Sequence, residues 1–219
     1  MLNRKITLPL ILLFISFLVP KFGVAEDFNG VISFWKIDGA DTTLYKYYVK
    51  GNRVRIEDIK KNGEVNGIML INLDNSIINV LSGSKKIYID VPVSNKKADD
   101  LDVKYKKSKE KKLVANKECK LWQAQDKISE NKFDFWVNDE TYSFFNKMLL
   151  ILNREELLSH VWLKMEIKGD YFPLIGIEYD VNGEILTKLE VFLIENKDFP
   201  DELFVIPADY QLLEKQPGF

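Results

Sequence analysis

The chain has one cysteine, Cys119, and one histidine, His160, in 219 residues. An internal disulfide is therefore excluded, and the Cys/His spacings that hold zinc are absent. There is no G-x-S-x-G elbow and no glycine loop of the phosphate-binding kind. Asp99, Asp100 and Asp102 lack the glycine and downstream glutamate of a calcium loop. Cys119 and His160 are the one nucleophile–base pairing available, and chance gives any such chain one pair of that kind. Asp139 and Glu140 read as acidic residues at a helix start, where the dipole favours negative charge. Neither a catalytic residue, a metal ligand nor a cofactor is expected, so a hydrolase built on Cys119 or a serine has no motif behind it. Cys119 sits in ECKLW, a strand-like stretch, and is expected to be a buried, inert packing residue.

Strong charge of either sign is lacking too. The formal net charge is -2, which does not suggest nucleic-acid binding. Long apolar runs are missing except at the start. There Arg4 and Lys5 precede an almost wholly apolar Ile6–Val19, and Gly23-Val24-Ala25 offers small residues where a signal peptidase reads. We expect a secretory signal over 1–25, cleaved after Ala25. An uncleaved anchor is the alternative, against which the apolar run is short for a span of ~20 residues. No cysteine follows the run, so the usual bacterial lipoprotein anchor is not expected. Loss of Arg4, Lys5 and Lys21 takes the net charge from -2 to about -5. Residues 26–219 are expected to form one exported, periplasmic domain without a membrane span, burying roughly 70% of its unfolded surface.

What the chain does have is strand signal. YYVKGNRVRIE, Tyr47 to Glu57, reads as a hairpin on Gly51-Asn52, with Val49, Val54 and Ile56 on one face. Strands are expected over Gly30–Ile37, Leu44–Lys50, Arg53–Ile59, Gly67–Leu73, Ser76–Leu81 and Lys86–Val91, joined as an antiparallel meander. IMLINL and IINVL are apolar on both sides, which predicts central strands covered on each face. From Ser94 to Lys112 the pattern breaks, with eight lysines against four acids. This stretch is expected to be a solvated loop, with a contact surface for anionic lipid head groups as the second reading.

The sheet resumes at Glu118–Gln125 and Lys132–Asn138. A hairpin centred near Ser129 would set Trp122 opposite Trp136. TYSFFNKMLLIL reads as an apolar helix, and Asn153 with Glu156 as a cap for a second, carrying Leu157, Leu158, Val161, Trp162 and Met165. FPLIGIEYD and EILTKLEVFLIE flank Val181-Asn182-Gly183, read as a type I′ hairpin, and LFVIP as a last strand. The fold class is mainly β (α+β). A curved antiparallel sheet of roughly nine to eleven strands would form a half-open barrel plugged by two short helices.

In order along the chain, YYVKGNRVRIE, KKIYIDVP, VANKECKLW, FDFWVNDE, FPLIGIEYDVNGE and LFVIPADYQ resemble a bacterial domain family of unknown function. That family is grouped with the periplasmic outer-membrane lipoprotein carriers and their receptors (LolA/LolB-like superfamily). The pieces span Gly30 to about Leu213, and F-x-I-P-A-x-Y, Phe204 to Tyr210, is the most specific. The resemblance implies a curved sheet wrapped over helices around a hydrophobic cavity, which in the carriers takes lipoprotein acyl chains. Two departures stand out. The carriers begin with a helix that this strand pattern lacks, and Asn116 stands where a glycine is expected. Asparagine tolerates the left-handed turn conformation required there.

Two functions follow as expectations. The leading one is a non-enzymatic periplasmic carrier holding a lipid acyl chain, a lipoprotein or another apolar ligand. Its candidate lining is Trp35, Phe144, Phe145, Met148 and Trp162, the last four because they sit on the helices that face the sheet. The rival is an envelope structural or protein-interaction domain whose interior its own side chains fill.

Overall fold

The computed structural model describes residues 28–93, 101–153 and 156–214. The expected signal segment lies outside the described residues. Six strands come first: β1 (Gly30–Asp38), β2 (Asp41–Lys50), β3 (Arg53–Ile59), β4 (Val65–Asn72), β5 (Ile77–Ser82) and β6 (Ile87–Val91). Next are β7 (Val103–Val114), β8 (Lys117–Asp126) and β9 (Lys132–Val137), then helices α1 (Ser143–Leu152) and α2 (Leu157–Lys164). The chain returns through β10 (Pro173–Tyr179) and β11 (Ile185–Asn196) to the two-residue β12 (Gln211–Leu212). All join one twelve-stranded sheet in the order β12-β6-β5-β4-β3-β2-β1-β11-β10-β9-β8-β7. Two meanders are thus sewn together by the β1–β11 pair, and the curved sheet does not close. Its edges are β7 and the short β12, which runs parallel to β6.

Alternation sets the inner face. Val49 pairs Val54 across the Gly51-Asn52 turn, and all of Val49, Val54, Ile56 and Ile71 are buried. Gly51 has φ 55, a conformation glycine reaches without steric cost. At the β7–β8 turn Ala115 and Asn116 both take left-handed φ, 48 and 63, so Asn116 fills the role a glycine would.

The stretch expected as a solvated loop is a strand from Val103 onward. As an edge strand, β7 lets its lysines reach water from both faces, so charge does not oppose pairing with β8. β4 and β5 are not central but lie towards the β12 edge. The C-terminal segment crosses the outer side of the neighbouring β2 and β3. Arg55 donates to the Leu203 carbonyl at 3.2 Å, Lys50 to that of Phe199 at 2.7 Å, and Arg53 lies over the buried Phe204 ring. Leu70, paired with Arg55, and Leu81 are buried on the same side, away from the helices.

LFVIP is not a strand. Residues Asp201–Phe204 form a 3-10 turn, Leu203 N–H bonding the Pro200 carbonyl, and Pro207 begins a second turn. Trp122 pairs Phe135 rather than Trp136. Asp126 causes the offset: its Oδ2 accepts from Ser129 N–H and Oγ–H, so the loop closes between Asp126 and Asn131. Asn153 is the C-cap of α1, with φ 40, and does not cap α2. At Val181-Asn182-Gly183 the loop has three residues, with only Gly183 at positive φ, so it is not a two-residue type I′ turn.

Candidate apolar ligand site

Helices α1 and α2 lie against the inner face where β1, β2, β9, β10 and β11 meet. Ten and eight residues long, they are too short to persist alone and depend on their apolar faces. Phe144, Phe145, Met148 and Ile151 are buried on α1, and Leu158, Val161 and Trp162 on α2. The helices are tied together by Trp162, whose Nε1–H donates to Asn146 Oδ1 at 3.0 Å.

Between them and the sheet lies an apolar chamber of about 40 Å³. Phe34, Tyr47, Phe135, Phe145, Trp162 and Phe172 supply its aromatic wall. The rings pack edge to face, Phe145 on Phe172 at 4.5 Å and Phe135 on Trp162 at 5.1 Å, the arrangement that ring quadrupoles favour. Gly176 forms part of the floor. A Cβ there would stand 3.0 Å from Leu158 Cδ2, so a side chain at this point of β10 would need the Leu158 side chain to give way.

Leu158 and Leu189 border both this chamber and a more polar vestibule of about 200 Å³ lined by Lys36, Asp38, Glu156, Glu178 and Thr187. Lys36 bridges Glu156 at 2.8 Å and Asp38 at 3.1 Å, fastening the start of α2 to β1. Burial lowers the Lys36 pKa, but these two carboxylates outweigh it and leave the group above the lysine range. Glu178 is 8% exposed and accepts from Asn131 Nδ2 at 2.9 Å. Burial pushes its carboxyl up, the Asn131 bond partly offsets this, and the Asp38 charge adds to the rise. The folded protein therefore holds a proton on Glu178 at pH values where the unfolded chain has released it. Stability from this group is lost as pH rises. Glu178→Gln should raise the melting temperature at pH 7, and the gain should vanish below about pH 4, the ordinary glutamate range. Paired thermal melts at the two pH values check it.

Of the expected lining residues, the structure brings Phe145 and Trp162 to the chamber. Phe144 and Met148 are buried in the packed core beside it. Trp35 is elsewhere: it follows inward-facing Phe34 in an alternating strand, lies 40% exposed on the outer face, and stacks on Phe192 at 5.5 Å. Sequence reading missed Phe34, Tyr47, Phe135, Phe172 and Gly176. Aromatics alternating within strands were the available signal, but only pairing shows which strands face the helices.

Cys119 is buried, and its Sγ–H contacts the Lys117 carbonyl at 3.6 Å. Burial pushes the thiol up to about 11, with Lys112 pulling weakly the other way. Neither ring nitrogen of buried His160 has a hydrogen-bond partner, so the two residues form no dyad. The native thiol should resist labelling, and Cys119→Ser should cost about 1–3 kcal/mol for a poorly paired buried hydroxyl. Rapid labelling of the native protein would contradict this. Among the described residues no cluster of three potential metal ligands occurs, and no helix is long and apolar enough to cross a membrane.

An open twelve-stranded sheet curved over two short helices, with an aromatic chamber between them, defines a helix-plugged β half-barrel. The chain belongs to the DUF4412 family, a domain of unknown function whose model matches residues 28–210. Among solved structures, an uncharacterized conserved protein from Thermus thermophilus is similar at TM-score 0.51 and 12% identity, over 84% of this chain and 89% of that one. MucB in the MucA/MucB complex of Pseudomonas aeruginosa is similar at TM-score 0.48 and 9% identity, over 84% of this chain and 57% of that one. A putative outer membrane lipoprotein-sorting protein domain from Vibrio parahaemolyticus is similar at TM-score 0.31 and 10% identity, over 80% and 88%. At these identities the likeness concerns fold. Comparison with curated proteins gives no match.

Proposed function

We propose that this is a non-enzymatic periplasmic binding protein that holds an acyl chain, of a lipid or a lipoprotein, or a similar apolar ligand, between the sheet and the helices. The observation that carries the reading is the aromatic chamber closed on one side by only two short helices. Its 40 Å³ is far below the roughly 300–1,000 Å³ of occupied ligand pockets, so on this reading a ligand-bound form is more open than this one. Binding requires α1 and α2 to move outward. Each methylene then buried contributes about 0.8 kcal/mol, so one acyl chain supplies several kcal/mol towards that movement. The resemblance of the sequence motifs to a family grouped with the lipoprotein carriers supports the same reading.

The small chamber also favours a second reading, an envelope structural or protein-interaction domain with a filled core. Native mass spectrometry of protein purified from its own envelope, with displacement of a fluorescent fatty acid, separates the two. The carrier reading expects co-purifying lipid and saturable probe binding. A lipid-free protein that ignores the probe would leave the filled-core reading.

A further inference from the structure

The edge strand β7 carries six lysines against one glutamate, in a chain whose net charge is -2. Part of that charge faces a groove. On the outer face, Lys104, Gln125, Lys132 and Tyr179 stand in one rung, with Lys106, Gln123 and Asp134 in the next. Together they line a concavity of about 580 Å³. Asp134 accepts from Gln123 Nε2 at 3.1 Å and Tyr179 Oη at 3.4 Å. Among the described residues Lys104, Lys106 and Lys132 have no carboxylate partner. Three lysines without an ion-pair partner thus line a groove whose floor carries one carboxylate, Asp134, held by Gln123 and Tyr179.

The register ties this groove to the chamber. The rung between the two lysine rungs runs Tyr105–Ala124–Phe133–Glu178–Thr187–Asp38 across β7, β8, β9, β10, β11 and β1. Its last three members line the vestibule. The basic groove and the vestibule therefore lie at the same end of the strands but on opposite faces of the sheet, about 14 Å apart along it across three strand spacings. Tyr105 of β7, between Lys104 and Lys106, also borders the groove and is 41% exposed. An exposed ring beside a basic strip suits a bilayer interface, where aromatic side chains settle beneath charged head groups.

We propose that the β7–β9 groove is a membrane-docking site that takes the phosphate groups of anionic phospholipids. Docking through that shared end of the strands would set the rim of the vestibule near the bilayer. That consequence rests on the carrier reading above, whereas vesicle binding itself does not.

The test is co-sedimentation of protein purified from its own envelope with vesicles of phosphatidylglycerol mixed into phosphatidylcholine, against phosphatidylcholine alone. Binding should require the anionic lipid and weaken as salt rises. Each lysine near such a surface contributes roughly fivefold. The triple variant Lys104→Gln/Lys106→Gln/Lys132→Gln should therefore bind on the order of 100-fold more weakly. Its melting temperature and its response to the fatty-acid probe should match the wild type, because all three side chains lie outside the core. Equal binding to neutral vesicles, or an unchanged triple variant, would overturn the proposal. Displacement by millimolar inorganic phosphate would assign the groove to a free anion instead. Binding of polyglutamate without vesicle binding would assign it to an acidic protein. Loss of vesicle binding with probe binding intact supports docking. A protein that binds vesicles but no fatty acid sinks the carrier reading and leaves docking standing.

Discussion

Trp162→Ala is expected to destabilise the protein by about 3–5 kcal/mol, the cost of removing a large aromatic side chain from a packed core. Trp162 is 4% exposed and lies between Trp122 at 6.1 Å, Phe135 at 5.1 Å and Phe145 at 6.3 Å. Its indole N–H also supplies the tie to Asn146 on α1. One substitution thus removes ring packing, leaves an amide oxygen without its donor, and loosens α2 from α1. The helix ends offer no compensation, because neither α1 nor α2 has a side-chain cap at its first turn.

Phe145→Ala should cost less than Trp162→Ala. Both side chains border the chamber, but Phe145 is the smaller ring and, unlike Trp162, has no hydrogen bond to lose. Denaturant melts check both, read as a fall in midpoint at unchanged slope. Trp162→Ala should also enlarge the apolar chamber enough to accept small apolar molecules, as dry engineered cavities near 150 Å³ accept benzene. A variant that loses under 1 kcal/mol would show that α2 contributes little to the fold.

The division between what the sequence shows and what it conceals is visible in these same residues. Period-two alternation placed Val49, Val54 and Ile56 inward, and helical spacing placed Phe144, Phe145, Met148 and Trp162 on buried faces. Such patterns are local and survive in a single chain. Register is not local. One residue of offset at the Asp126 loop decides whether Trp122 meets Trp136 or Phe135, and so whether it stacks on Trp162. Trp35 failed as a lining residue for the same reason: its strand was legible, but which side the helices occupy was not. The lysines of β7 hid a strand because charge signals solvent, and an edge strand is solvated on both faces. Phe34, Tyr47 and Phe172 could be gathered into one chamber only by a topology that sews two distant meanders together at β1 and β11.

The second large effect concerns movement of α2. If ligands enter by lifting the helices, fixing α2 to the sheet should abolish binding without harming the fold. Gly176 and Leu158 offer the place. A Cβ at Gly176 would lie 3.6 Å from Leu158 Cγ, so side chains at the two positions face each other at short range. Gly176 is not at positive φ, so a cysteine fits its backbone. Gly176→Cys/Leu158→Cys should therefore oxidise to a bridge between β10 and α2, with buried Cys119 outside the exchange. Only the fraction of molecules that open can bind, so apparent affinity falls in proportion to that fraction. The oxidised variant should accordingly lose fatty-acid probe binding, while its melting temperature rises or stays level. Adding a reductant should restore binding to the level of the reduced protein. Thiol titration of the unfolded variant confirms that the bridge has formed. Full probe binding in the bridged form would mean that ligand reaches the protein without movement of α2, and the chamber would lose its claim to the site.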